Sequence, residues 1–442
     1  MSTATVIENQ PPKQRSPLGS LFFTIFLDLV GFSILIPVFP LLIAPPGAPF
    51  RVTPDDWSFR SGLIMLGWLQ AVYPLCIFVA APILGQLSDR WGRRPVLAFS
   101  LSGTALGYAM FAVGIATKNL PLLFAGRILD GLTGGNLAVA QASIGDVSTD
   151  ENRAKNFGLI GAAFGLGFIL GPYIGGRLSG PNKSFYGLFH TPSWFGATTP
   201  FWFAAALAVL NTTIVLVRLP ETLKERIEGR LNPAQAIQNV VAGFASARLR
   251  VPLLTAFFWT SGFTFFTSFF GIYVANKFGF TQSTTGDYFA IVGVFIAITQ
   301  GAIVGLVAKR LIDFKVLRFS IICQAGALAA YFAINEKQLL YWFIPLLALF
   351  QGLSQANLGA LMSRVAEPGK QGQALGVYSS ISSLAQVAPS IMLGYITARS
   401  TANTPLVVAA AMTLFAGLIF AAFFRPHLTA IDSTPTLSST TH

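Results

Sequence analysis

The string Gly85-Gln-Leu-Ser-Asp89-Arg90-Trp-Gly92-Arg93-Arg94-Pro95 lies between two apolar windows, 61–88 and 95–117. Each window is long enough to cross a bilayer, which takes roughly 20 apolar residues. The basic cluster between them marks a polar turn held on one side of the membrane. Gly85 leaves room for a neighbouring helix to approach. Asp89 is placed to sit against a helix N-terminus in the other half of the chain. Arg93 or Arg94 can pair with Asp146 on the same side, which would make the string a charge latch. The plain alternative is a basic stop signal.

Outward from this string the pattern repeats. Windows nearly free of charge fall at 16–50, 61–88, 95–117, 119–145, 156–176 and 184–217, then at 251–276, 288–308, 319–335, 338–363, 371–398 and 400–424. Six and six flank a polar stretch. The division is an N-terminal tail (1–19), a six-helix bundle (20–219), a linker (220–250), a second bundle (251–424) and a Ser/Thr-rich tail (425–442) expected to be disordered. Asn232-Pro233 in the linker reads as a helix start, and Ile237, Val241 and Phe244 share one apolar face. A short amphipathic helix on the membrane interface is expected there.

Composition agrees. Only 46 of 442 residues are charged, or 10%, against about 25% in a soluble protein. Hydrophobic residues make up 53%, with 40 Phe. Two cysteines, Cys76 and Cys323, exclude a disulfide scaffold. The scattered His190, His427 and His442 argue against a zinc site or a membrane-embedded enzyme. The net charge of +12 is assigned to loop bias, not to nucleic-acid binding. With both termini inside, 20 of the 29 Lys and Arg fall in inside loops and eight outside, with Arg127 left within a span. The expected location is therefore the cell membrane (the inner membrane of a Gram-negative cell), with both termini cytoplasmic. The N-terminus lacks a signal-peptide pattern, so the first span is expected to be retained.

The halves echo each other. Gly85 and Arg90 recur as Gly305 and Arg310, Gly131 as Gly352, Asp146 as Glu367 and Gly158 as Gly376, at offsets of 218 to 221. Two homologous six-helix bundles suit alternating access, with the site between them.

Three charges remain inside spans: Asp28, Arg127 and Asp130. An intramembrane charge is functional by default. Arg127 and Asp130 are three apart and share a helix face. One reading is a structural ion pair. The other makes Arg127 a tuner that keeps Asp28 or Asp130 charged until the pairing breaks, with Asp28 the main proton carrier and Asp130 second. Uncharged polar residues within spans (Gln70, Asn136, Gln141, Gln300, Gln324, Gln351, Gln355 and Asn357) are candidates to orient a substrate, some of them serving instead as helix–helix glue. The aromatic run 257–270 includes Phe263 and Phe266, candidates to stack on a flat substrate. Lipid-facing Phe is the plainer reading.

Gly167-Phe-Ile-Leu-Gly171-Pro172-Tyr-Ile-Gly175-Gly176 in the fifth window presents a bare stripe for close packing, bent at Pro172. This string resembles the antiporter signature G-x-x-x-G-P-x-x-G-G of drug–proton antiporters. The string at 85–95 likewise resembles the cytoplasmic signature of the major facilitator superfamily between helices two and three. Within that superfamily the sequence is most similar to the tetracycline efflux proteins, through Leu27-Asp28 to Pro37 and Pro40, Asp146 with Arg153-Ala154 and Phe157-Gly158, Leu219-Pro220-Glu221, and Gln371-Gly372-Gln373. The resemblance implies an all-α membrane protein of twelve helices in two pseudo-twofold bundles. It also implies proton-driven export of a small lipophilic or aromatic molecule. The tetracycline exporters carry an acid in helix nine where this sequence has Gln324, and an apolar residue in helix four where it has Asp130. The expectation is a monomeric secondary transporter, not an enzyme, with a small-molecule substrate, the bilayer as its surroundings, protons as coupling ion and no cofactor. The alternatives are a proton-coupled importer or facilitator of a metabolite and, more distantly, a non-transporting receptor.

Overall fold

The computed structural model describes residues 17–39, 42, 51–149, 153–185, 189–223, 226, 232, 234–308, 313–365, 371–399 and 404–425. The first half contains α1 (Pro17–Ile34), α2 (Phe59–Trp91), α3 (Arg93–Ala116), α4 (Leu120–Thr133), α5 (Asn136–Asp146), α6 (Arg153–Leu178) and α7 (Thr199–Arg218). A linker helix, α8 (Gln235–Ala245), leads to α9 (Arg250–Phe278), α10 (Gln282–Ile298), α11 (Val304–Ala308), α12 (Asp313–Ala333), α13 (Lys337–Val365), α14 (Gln371–Arg399) and α15 (Thr404–Phe423). A π-helical turn, Thr299–Ile303, joins α10 to α11. Among the described residues nine helices are long and apolar enough to cross a membrane, and α9, bent by 40°, makes a tenth. The broken pair α4–α5 and the Ser- and Gln-rich α14 bring the number of spans to twelve.

Three windows differ from the sequence reading. The first does not stay helical to residue 50: α1 stops at Ile34, and turns lead to Pro37, which has no N–H to donate. The sixth does not begin at 184. Ser184–Phe185 pairs antiparallel with Phe189–His190, and α7 starts only at Thr199. The fourth is broken by Gly134-Gly135, whose lack of side chains lets the chain lie against Ile77 and Leu84 of α2 but weakens the helix. Residues 1–16, most of the C-terminal tail, Pro40, Lys309, Arg310 and Glu367 lie outside the described residues.

Within each half the helices pack through bare glycines. Gly107 and Gly126 seat α3 on α4, and Gly131 seats α4 on Tyr73 and Cys76 of α2. Its counterpart Gly352 seats α13 on Thr299 of the π turn. The duplicated glycine therefore does the same packing work in both halves.

Two seams join the halves, α2 with α14 and α6 with α10. On the side away from the termini they are closed. A Cβ on Gly67 would strike the Ser390 carbonyl, one on Gly176 the Gln282 carbonyl, and one on Gly286 the Pro172 carbonyl. Trp68 also reaches Tyr395 at 3.5 Å. Toward the termini the seams part: a Cβ on Gly85, Gly301, Gly305 or Gly376 would meet nothing within 4 Å among the described residues. Between the seams α1 and α4–α5 of one half do not pack on α9 and α13 of the other, which leaves a cleft between them among the described residues.

The apolar face of α8 divides. Ile237 and Val241 stay exposed, while Phe244 and Val240 pack on the second half. Asn232 does not cap the helix. It accepts from Ala234 N and exchanges two hydrogen bonds with Gln86 of α2, at 2.8 and 3.2 Å.

Candidate functional site

The break between α4 and α5 sets Asn136 at the first turn of a new helix, facing α1. Its Nδ2 donates to Asp28 Oδ1 at 2.6 Å. Asp28 is half-buried. One turn before the break, Arg127 Nη1 lies 3.4 Å from Asp130 Oδ2. Both are deeply buried, at 5% and 2% exposure. The guanidinium is ringed by Phe39, Tyr73 and Phe111, with centroids at 5.2, 4.9 and 5.7 Å. Those π faces replace part of the hydration a buried cation loses. Arg127 Nε makes no hydrogen bond among the described residues. Thr104 of α3 lies against Asp130, and the bare Gly107 admits the Asp130 Cβ. Tyr73 and Tyr108 stand within electrostatic reach of Asp28, Asp130 and Arg127. The three intramembrane charges thus gather into one cluster. The two tyrosines were not singled out by sequence, where a Tyr in an apolar window carries no signal of its facing.

The polar residues of the other half are arranged differently. Trp259 Nε1 donates to Gln324 Oε1 at 2.8 Å, and Gln324 Nε2 donates to Gln351 Oε1 at 2.5 Å. Gln324 is wholly buried, so this network ties α9, α12 and α13 together and does not face the cleft. The substrate-contact expectation for Gln324 and Gln351 is corrected on that ground. Phe266 is corrected likewise. It is 1% exposed, packed on Phe270 and Tyr331 at 4.8 and 5.6 Å between centroids, and so meets neither lipid nor cleft. This aromatic core is tied by a Tyr288–Tyr331 hydroxyl pair at 2.5 Å. Phe263 is half-buried and stacks on Phe266 at 6.2 Å. Gln300 Nε2 donates to Gln355 Oε1 at 3.2 Å, and both residues are half-buried. Gln70 and Gln141 are half-buried as well, and Gln70 Nε2 has no partner among the described residues.

The string at 85–95 closes on its own half. Arg93 binds Asp89 at 2.6 Å, Asp146 at 2.8 Å and Ser88 Oγ at 2.7 Å. Glu221 accepts from the backbone N–H of Arg93 and Arg94, at 2.8 and 3.2 Å. Gly92 has φ 108°, and a Cβ there would collide with Glu221. Arg94 Nη2 donates to the Leu216 carbonyl. Arg90 lies in the last turn of α2, and a Cβ on Gly85 would meet nothing within 4 Å among the described residues. Asp89 therefore faces Arg93 of its own half.

The glycine string of α6 has two working faces. Gly167, Gly171 and Gly175 lie on Leu29, Ser33 and Ile34 of α1, with Ser33 Oγ donating to the Gly167 carbonyl at 2.9 Å. Gly176 and the Pro172 carbonyl meet α10 across the seam. Just beyond, Arg177 Nη2 reaches both oxygens of Asp287, at 2.9 and 3.1 Å, over the ring of Tyr173. This ion pair joins the halves on the closed side.

Twelve spans in two halves, two seams and a one-sided cleft with a buried charge cluster define a secondary transporter. The chain belongs to the Major Facilitator Superfamily, which it matches over residues 21–388. It is 31% identical over 398 residues to the class C tetracycline resistance protein of Escherichia coli, covering 88% of this chain and 92% of that one. Its fold is similar to the crystal structure of the human organic anion transporter MFSD10 (TETRAN), with a TM-score of 0.70, 22% identity and coverage of 93% and 100%. It is also similar to that of a D-xylose-proton symporter, with a TM-score of 0.72, 16% identity and coverage of 92% and 98%.

Proposed function

We propose that the chain is a proton-coupled antiporter exporting small lipophilic or aromatic compounds, tetracycline-like molecules among them, by alternating access. The observation that carries this is the Asp28 carboxylate, held by Asn136 at the cleft wall beside a buried Arg127–Asp130 pair. Asp28 is half-buried where Asp130 is 2% exposed, so of the two acids it is the better placed to exchange protons with the open side. Asp130, two-sidedly enclosed by Arg127 and Thr104, is a second acid whose charge the first one feels. Protonating Asp28 removes one negative charge from beside Arg127 and strengthens that arginine's hold on Asp130. A substrate entering the cleft competes for the same space and the same hydrogen-bond partners. The Arg177–Asp287 pair and the glycine-lined seams hold the far side shut while the near side loads.

In this reading both termini are cytoplasmic, and the cleft opens inward. The tails are 1–19 and 425–442, the bundles 20–219 and 251–424, and 220–250 is the linker. The chain works as a monomer, with protons as coupling ion and no cofactor, in the cell membrane (the inner membrane of a Gram-negative cell). The test is proton release from everted vesicles energised by respiration. Adding tetracycline or another member of a lipophilic drug panel should evoke it, and silence across the whole panel overturns the drug-export reading.

A further inference from the structure

Along the α6–α10 seam glycines let one helix meet the other's backbone: Gly176 meets that of Gln282 and Ser283, Gly286 the Pro172 carbonyl and Gly293 that of Phe168 and Ile169, while Gly165 meets Ala297. The next contact toward the termini is Gly161 with Gln300, whose Oε1 lies 3.3 Å from where a Cβ on Gly161 would stand. Beyond it Gly301 and Gly305 face nothing among the described residues. Gln300 is therefore the first long polar side chain at the point where the seam opens into the cleft. It sits in the π turn Thr299–Ile303, and such turns recur at functional sites because the extra residue re-aims a side chain. Its amide N–H is spent on Gln355 of α13. That bond uses Gln300 Nε2 and Gln355 Oε1, so among the described residues the Gln300 Oε1 and the Gln355 amide N–H groups take part in no hydrogen bond. The pair thus offers an acceptor beside donors from the second half.

In the first half Asp28 stands next to Leu29, which packs on Gly167. Gly167 is six residues along α6 from Gly161, so the amide pair lies roughly 9 Å nearer the open side than the carboxylate, at 1.5 Å per residue. An amphipathic molecule of a few fused rings spans that distance. We infer that Gln300 and Gln355 are specificity-determining residues that bind a substrate presenting an adjacent hydrogen-bond donor and acceptor, such as an enol beside a ketone or a carboxamide. This rests on the antiport reading, and it separates recognition by the second half from proton handling by the first.

Tetracycline is the probe, and the readout is its KM and the pH profile of drug-evoked proton release in everted vesicles. Gln300→Leu and Gln355→Leu should each raise KM about fivefold to tenfold, the worth of one or two neutral hydrogen bonds, with the pH profile unchanged. The double variant should cost little more than either single one, because the two amides act as a unit. Unchanged KM in both variants, with wild-type protein active, overturns the inference and leaves antiport standing. A shifted pH profile also overturns it, because it would place the amides in proton coupling. If wild-type protein itself moves no tetracycline while a different drug evokes proton release, the donor–acceptor recognition inferred for Gln300 and Gln355 is overturned and antiport stands. If nothing does, the antiport reading and this inference fall together.

Discussion

The two halves carry the same fold on opposite chemistry. In the first, Thr104 on α3 lies against Asp130 on α4, with Arg127 beside it. Moving along the chain by 220 or 221 residues lands on Gln324, Gln351 and Ala348. There the interhelical contact is a hydrogen bond between two neutral side-chain amides, sealed by Trp259 and buried. One duplicated position thus holds a charge cluster in one bundle and structural glue in the other. In the antiport reading proposed above this difference is a division of labour, with a titratable first half and a neutral second one.

The largest expected effect comes from the charged half. Asp28→Asn should abolish drug-evoked proton release while the purified protein still elutes as a monodisperse species. Were Asp28→Asn active and Asp130→Asn dead, the carrier would be the deeper acid. Next, Arg127→Leu strips a buried carboxylate of its partner, at a cost of about 3–5 kcal/mol. The Arg127→Leu/Asp130→Leu double variant should regain most of the thermal stability. Equal loss in both would show that the aromatic ring around Arg127, not the ion pair, holds α4.

In the neutral half Gln324→Leu leaves the Trp259 indole N–H and one Gln351 group without partners. The expected loss is about 1–3 kcal/mol in a thermal-shift assay, with the transport KM unchanged. A raised KM with unaltered stability would return Gln324 to the substrate site and blur the comparison between halves. The smallest effect is expected between the halves. Arg177→Ala removes a partly exposed ion pair worth up to about 1 kcal/mol. A cysteine placed at Ser283, buried in the closed seam, should react with a membrane-impermeant maleimide about fivefold faster in that background. No acceleration would mean that glycine packing alone keeps the seam shut.

Much of this was legible beforehand. A run of twenty uncharged residues has few ways to exist outside a bilayer, so the spans, their number and the polar linker follow from composition. The three intramembrane charges stand out for the same reason: each is expensive there and needs a use. The glycine strings and the constant offset between halves likewise show in the letters. The breaks were harder to see. Gly134-Gly135 reads as two more small residues in an apolar window, yet it is what turns Asn136 toward Asp28.

Facing is what the sequence left undecided. In a soluble helix the polar face marks the outside, but these helices are apolar all round, because lipid and protein interior are equally greasy. A glutamine such as Gln324 or Gln300 therefore looks the same in the sequence whether it is buried glue or lines the cleft. Phe266 looks the same whether it meets lipid, drug or Tyr331. Only the packing of α9, α12 and α13 buried the first and the last, and only the parting of the α6–α10 seam left Gln300 at the cleft. The chain itself determined that there is a membrane, two halves and three buried charges. The tertiary structure decided which polar groups meet, because helix facing in lipid is set by the shapes of neighbours and not by contrast with water.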